Sequence, residues 1–200
     1  RRSRRSPSGA RIARNHGQTP GDSMTGSRPV LPLIETSDDP LVKEEFARLA
    51  AGRGILNLHR MMAHAPVLMQ ASGNMAMALR NKTKLARSTA ELAILRAAQV
   101  VDCDYVWGRH VSLARAAGVT DQQLEQIAGW RDSAAFTPAE RVALGFAEKV
   151  AGGTRVDDET FTAIRREFSQ QEIVELTMLI TFYVSTATFI NTLAVPDEPG

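Results

Sequence analysis

The sequence predicts an all-α fold, and three observations carry that prediction. Strand-like alternation is almost absent, helix-capping signals recur along the chain, and apolar residues return at helical spacing after each signal. The first helix, at about 40–51, opens with Asp39 as N-cap and Pro40 at the first helical position. Two more follow at about 55–63 and 66–81, the second opened by Pro66. Four later segments pair a Ser or Thr with a Glu or Gln three residues on, the reciprocal pattern of a capping box. They are Ser88 with Glu91, Thr120 with Gln123, Thr137 with Glu140, and Ser169 with Glu172. These open helices at about 88–101, 121–129, 138–151 and 170–193, with further helices at about 104–117 and 158–167. Gly118 falls where a left-handed residue ends the 104–117 helix, and Gly152 and Gly153 close the 138–151 helix.

Length and charge narrow the function classes. The 200 residues suit a single domain, expected over 28–200, that buries a core without disulfides or metals. One cysteine cannot form an internal disulfide, so the expected compartment is the cytoplasm. Residues 1–27 read as a disordered basic leader, either a transit peptide or an upstream extension before Met24. Its first 23 residues hold six arginines and one acid, which leaves 18 basic against 21 acidic side chains in the remainder. A mildly acidic body argues against nucleic acid as the main partner. No uninterrupted apolar run reaches the ~18 residues that span a bilayer, and LTMLITFYVSTATFINTLAV is broken by Thr, Ser and Asn. That stretch is expected as a buried helix, with no membrane partner. The histidines His16, His59, His64 and His110 show no ligand spacing, so no metal site is expected. Arg80, Lys82, Lys84 and Arg87 form a basic stretch, either a solvated face or an anion-attracting rim.

The chemistry concentrates in CDYVWGRH, Cys103 to His110. On a helix, Cys103, Val106, Trp107 and His110 share one face, because positions i, i+3, i+4 and i+7 line up at 3.6 residues per turn. A thiol at a helix N-terminus is drawn toward thiolate, and His110 could exchange a proton with it. Glu91 lies twelve residues before Cys103. If the two helices fold back at Val101 and Asp102, Glu91 returns beside His110 and can fix its tautomer. Each residue also has a structural reading. Cys103 and Trp107 suit a core, Glu91 suits the capping box, and His110 could be a satisfied core histidine.

The spacing Glu91, Cys103, Val106, His110 resembles the E-x11-C-x2-C-x3-H signature of the alkylhydroperoxidase D and carboxymuconolactone decarboxylase superfamily. ELAILRAAQVVDCDYVWGRHVSLARAAGVTDQQLEQI, NLHRMMAHAPVLMQ and the segments from TPAERVALGFAEKV onward extend the likeness over about residues 28–196. The resemblance implies an alkylhydroperoxidase D-like bundle of antiparallel helices assembled as a homo-oligomer, a trimer or hexamer. It further implies a small-molecule substrate handled without a cofactor. By position it assigns Glu91, Cys103 and His110 as catalytic, with Tyr105, Val106 and Trp107 at the substrate. Val106 replaces the cysteine that attacks peroxide in the peroxidase branch, so a two-cysteine peroxidase is not expected. The expectation is a decarboxylase-like lyase using a Glu91–His110 proton relay. The alternatives are a single-cysteine, peroxiredoxin-type antioxidant enzyme and a non-catalytic helical binding oligomer. Arg96 and Arg109 could hold a substrate carboxylate or form ion pairs.

Overall fold

The computed structural model describes residues 29–198, and among these only helices, turns and loops occur. Expectations for residues 1–28 fall outside the described residues. The elements are α1 (Pro40–Ala50), α2 (Asn57–Met62), α3 (Pro66–Asn81), α4 (Arg87–Val100), α5 (Asp104–Ala116) and α6 (Asp121–Gln126). A 3₁₀ turn (Trp130–Asp132) precedes α7 (Pro138–Ala151), α8 (Asp158–Glu167) and α9 (Gln170–Leu193).

The caps explain most of the boundaries. The Asp39 carboxylate accepts from the amides of Leu41 (2.8 Å) and Val42 (3.3 Å). Thr120 with Gln123, Thr137 with Glu140 and Ser169 with Glu172 all form reciprocal capping boxes. The fourth expected box, Ser88 with Glu91, does not form. The N-cap of α4 is Ala86, which offers no side-chain acceptor, so Ser88 lies inside the first turn. The chain leading into α4 is held instead from a distance: the Glu175 carboxylate on α9 accepts from the amides of Lys84 (2.8 Å) and Leu85 (3.0 Å). Glu91 is thereby released from capping and turns inward.

Helix α4 is the axis of the molecule. Nine of its residues are buried, from Thr89 to Ala98, as expected of a helix surrounded on all sides. It packs against α5, α7 and α9. Asp102, with φ +53, makes the sharp turn into α5 and sends that helix back along α4. Gly118, with φ +94, terminates α5 in the left-handed conformation that an L side chain would resist.

Helix α9 corrects one expectation. Its most apolar window has a mean hydropathy of 1.7, so by length and composition it could cross a membrane, and only 28% of that window is buried. The Thr residues that seemed to interrupt it donate back to their own helix: Thr177 to the Ile173 carbonyl (2.7 Å), Thr181 to Thr177 (2.9 Å) and Thr186 to Phe182 (2.9 Å). One face, with Leu176, Leu179, Ile180, Tyr183, Ala187 and Ile190, packs into the core, while Val174 and Met178 are exposed.

The core has a main cluster around α4, α5, α7 and α9 and a second around Leu92, Leu95, Trp130 and Leu144. A small third cluster of Val42, Ala63 and Met69 holds α1, α2 and α3 together. Helices α1 and α2 rest on α3, which meets α9. Between that three-helix layer and α5 and α9 the packing leaves a cavity.

Candidate active site

The cavity has a volume of about 720 Å³ and is walled by α1, α2, α3, α5 and α9. His110, Val106 and Tyr105 reach it from α5, Tyr183 from α9, His59 from α2, and Arg53 from the loop between α1 and α2. The size suits a small molecule, and the lining mixes apolar side chains with a few polar ones.

At its inner wall stands a buried pair. His110 Nδ1–H donates to the Glu91 carboxylate at 2.7 Å, Glu91 is 0% exposed and His110 is 7% exposed. The hairpin of α4 and α5 produces this meeting: the turn at Asp102 folds α5 back along α4 and brings His110, eight residues after it, to Glu91, eleven residues before it. Arg87, one helical turn before Glu91, binds the same carboxylate. The His110 ring meets the edge of Tyr183, with ring centres 4.7 Å apart and planes at 85°.

The charge states follow from these contacts. Burial pushes the Glu91 carboxyl up, but the hydrogen bond and charge of His110 and the Arg87 guanidinium outweigh it, holding it below the usual carboxylate range. Burial pulls the His110 imidazole below its ordinary value, and the Glu91 carboxylate restores only part of the shift. At neutral pH the pair is therefore carboxylate with neutral imidazole. With the proton on Nδ1, the Nε2 lone pair is free to act as a base.

The other expected site residues separate. Val106 lines the cavity as apolar wall. Tyr105 also lines it, but its hydroxyl is engaged, donating to Glu198 (2.7 Å) and accepting from the Leu58 amide (3.3 Å). Cys103 and Trp107 are not among the lining residues. Cys103 is 2% exposed, and burial pushes its thiol up despite the nearby amides of Val106 and Tyr105. Trp107 packs between the two larger core clusters. Arg96 is bound to Glu148 (2.8 Å), whereas Arg109 lines the cavity 3.6 Å from Glu198.

Three further lining groups are Arg53 and His59, which the sequence did not mark as site residues, and Arg80, which it placed in a basic stretch. Arg53 and Arg80 line both this cavity and a smaller cleft of about 210 Å³ that reaches Arg87 and Glu91. Arg80 Nε is the one buried side-chain nitrogen or oxygen without a hydrogen-bond partner among the described residues. Of the basic stretch, Arg80 lines the cavity and Arg80 and Arg87 line the cleft, whereas Lys82 and Lys84 line neither. His59 is the third: its Nδ1 accepts from the Leu56 amide at 2.9 Å, and burial pulls it down to about 4. A His three residues after a helix-capping position was the available signal, since it can fill the acceptor role of Glu or Gln in a capping box. His64, by contrast, is structural, with Nε2 bonded to the Pro32 carbonyl (2.8 Å). Among the described residues no group of three or more His, Cys, Asp or Glu is placed to hold a metal ion.

Residues 66–149 match the model of the carboxymuconolactone decarboxylase family. The uncharacterised protein YdfG of Bacillus subtilis (strain 168) is 28% identical over 101 residues, a match covering 50% of this chain and 69% of YdfG. The debrominase Bmp8 superposes with a TM-score of 0.71 at 20% identity, covering 83% of this chain and 90% of that one. A Cys-to-Ala variant of Bmp8 has been solved in complex with 2,3,4-tribromopyrrole. The alkylhydroperoxidase AhpD core protein of Ralstonia eutropha JMP134, a peroxidase-related protein, superposes with a TM-score of 0.70 at 18% identity, covering 84% of this chain and 94% of that one. These two structures share the helical fold described above.

Proposed function

We propose that the chain, whose residues 66–149 match the carboxymuconolactone decarboxylase family model, is a cofactor-independent enzyme of that family moving protons on a small anionic substrate. The buried His110–Glu91 pair, with His110 in the cavity wall, carries this reading. His110 Nε2 takes a proton from a carbon beside a carbonyl group. The electron pair of the broken C–H bond moves onto the carbonyl oxygen as an enolate. The imidazolium, its Nδ1–H held by Glu91, then returns the proton to carbon. Where a carboxylate lies β to the carbonyl, its C–C bond breaks, CO₂ leaves, and the pair forms the same enolate for protonation. A neutral resting imidazole suits a sequence in which deprotonation comes first. Arg53 and Arg80 supply positive charge for an anionic substrate.

The test is turnover of a panel of β-keto acids and carboxylated lactones in D₂O, followed by NMR for deuterium at the α-carbon and for loss of CO₂. Wild type is expected to process at least one member, and His110→Gln to lose ~10²–10⁴-fold of that rate. Retention of the rate in His110→Gln overturns the reading.

A second reading, thiol chemistry at Cys103, is favoured by the cysteine variant of Bmp8 that holds a halopyrrole. It requires Cys103 to gain access to a cavity that it does not line. Its signature is loss of activity in Cys103→Ala with His110→Gln still active.

A further inference from the structure

The cavity holds a second histidine whose proton is fixed by the backbone. His59 stands at the third position of α2, and the Leu56 amide donates to its Nδ1 at 2.9 Å. An N–H donor on Nδ1 requires that nitrogen to carry a lone pair, so a neutral ring bears its proton on Nε2. The imidazole lines the same cavity as His110, and Asn57 and Leu58 beside it are themselves tied down. The Asn57 amide donates to Glu198 (2.8 Å), its side-chain amide donates to the Pro196 (3.2 Å) and Asp197 (3.1 Å) carbonyls, and the Leu58 amide donates to the Tyr105 hydroxyl (3.3 Å). The short helix α2 is thus tied down on both sides of a histidine that lines the cavity.

The two histidines are bound in complementary ways. Glu91 accepts from Nδ1–H of His110, leaving Nε2 as a proton acceptor. Leu56 donates to Nδ1 of His59, leaving Nε2–H as a proton donor. Removing a proton beside a carbonyl puts negative charge on the carbonyl oxygen, and a preorganised donor at that oxygen lowers the barrier. A neutral imidazole can serve as such a donor without surrendering its proton.

We propose that His59 is the hydrogen-bond donor of this site: its Nε2–H binds the substrate oxygen that gains negative charge when His110 removes the proton. This rests on the proton-transfer reading and extends it to the substrate, which must present an oxygen that becomes enolate-like next to the acidic carbon. Burial keeps the ring neutral, with Glu45 and Glu198 pulling its proton affinity up and Arg48 and Arg80 pulling it down.

Two substitutions separate donation from the structural bond to Leu56. In His59→Asn the side-chain oxygen can still accept from the Leu56 amide, but no donor reaches the Nε2 position. In His59→Gln a donor reaches that position and the side-chain oxygen can still serve the cap. The probe is 4-nitrophenolate, an oxyanion whose binding is followed by its absorbance, alongside the melting temperature of each variant. The expected result is a loss of affinity of about tenfold or more in His59→Asn, the scale of one hydrogen bond to a charged group, and near wild-type affinity in His59→Gln. Unchanged affinity in His59→Asn, an equal loss in both variants with unaltered melting, or no binding by wild type overturns the proposal. An NMR spectrum of ¹⁵N-histidine-labelled wild type supplies a check that needs no variant, and a His59 ring protonated on Nδ1 likewise overturns it. Binding that depends on His59 without any deuterium exchange on the substrate panel would sink the proton-transfer reading alone. Exchange that survives in His59→Asn would sink the donor alone.

Discussion

Two arginine-bound carboxylates in this molecule, the buried Glu91 and the partly buried Glu148, look alike and differ in what they can do. Glu148 on α7 accepts from Arg96 Nε (2.8 Å), Trp130 Nε1 (3.0 Å) and Arg131 Nη1 (3.2 Å), and the Arg131 guanidinium also covers the Trp130 ring at 4.5 Å. Every donor there keeps its proton at any ordinary pH, so the cluster can fasten helices but has no proton to give. Glu91 on α4 also holds an arginine, but its other partner is an imidazole with its second nitrogen available to a cavity. An arginine-bound carboxylate therefore marks a working site when one partner can titrate and opens to space, and marks a joint when none can.

Loss of Glu91 is expected to have the largest effect. Glu91→Ala leaves the Arg87 guanidinium without its buried counter-charge and His110 without its acceptor, a loss of ~3–5 kcal/mol by urea unfolding. The same variant loses turnover, because the imidazole no longer holds a single tautomer. Glu148→Ala is expected to cost ~1–3 kcal/mol in the same assay, since Arg131 is mostly exposed and returns to water while Arg96 keeps Gln99. Its turnover per folded molecule stays at the wild-type rate. If Glu148→Ala abolishes turnover in folded protein, the division between joint and site is wrong.

Acid sharpens the contrast, and the sign follows from the depressed imidazoles. His59 is pulled down to about 4, and His110 also lies below its ordinary value. Between an unfolded value of about 6.5 and the folded values, the unfolded chain binds more protons, so stability falls as pH drops through that window. The His59 contribution is on the order of 3 kcal/mol by linkage, complete by about pH 4. Glu91, held below the usual carboxylate range, extends the loss at lower pH. Unfolding midpoints from pH 7 to 4 should therefore fall steeply in wild type and less steeply in His59→Asn. Equal slopes would show that His59 does not titrate in this window.

Much of the fold is legible in the sequence because helix caps are local. A Thr and a Glu three residues apart meet whatever surrounds them, as at Thr137 and Glu140. The Glu91–His110 pairing was also legible, since a hairpin turn at Asp102 returns one helix along the other. Ser88 misled because its competitor is remote: Glu175 on α9 takes the amides before α4, and His110 and Arg87 take Glu91. The common face of Cys103 and His110 did not place both in the cavity. Seven residues of helix separate them by ~10 Å, enough for one face to begin in core and end at a cavity. The walls from Arg53 and Tyr183 depend on how the α1–α2 loop, α3 and α9 pack, which no local pattern records.

The smallest effect concerns the cysteine. Cys103→Ala removes one buried sulfur from the main core, for a loss of about 1 kcal/mol, with turnover unchanged. Slow reaction of the native thiol with a disulfide reagent should accompany it, because burial raises its proton affinity. A fast native reaction, or loss of turnover in Cys103→Ala, would move the chemistry from the imidazole to the thiol.

The central claim is that His110 rests as a neutral base, its Nδ1–H held by Glu91 and its Nε2 bare. A ¹⁵N-histidine NMR titration of the folded protein measures both properties in one experiment. The account predicts a protonated Nδ1, an unprotonated Nε2 and a midpoint below the ordinary histidine value. A proton on Nε2 at neutral pH, or a midpoint above that value, would contradict it.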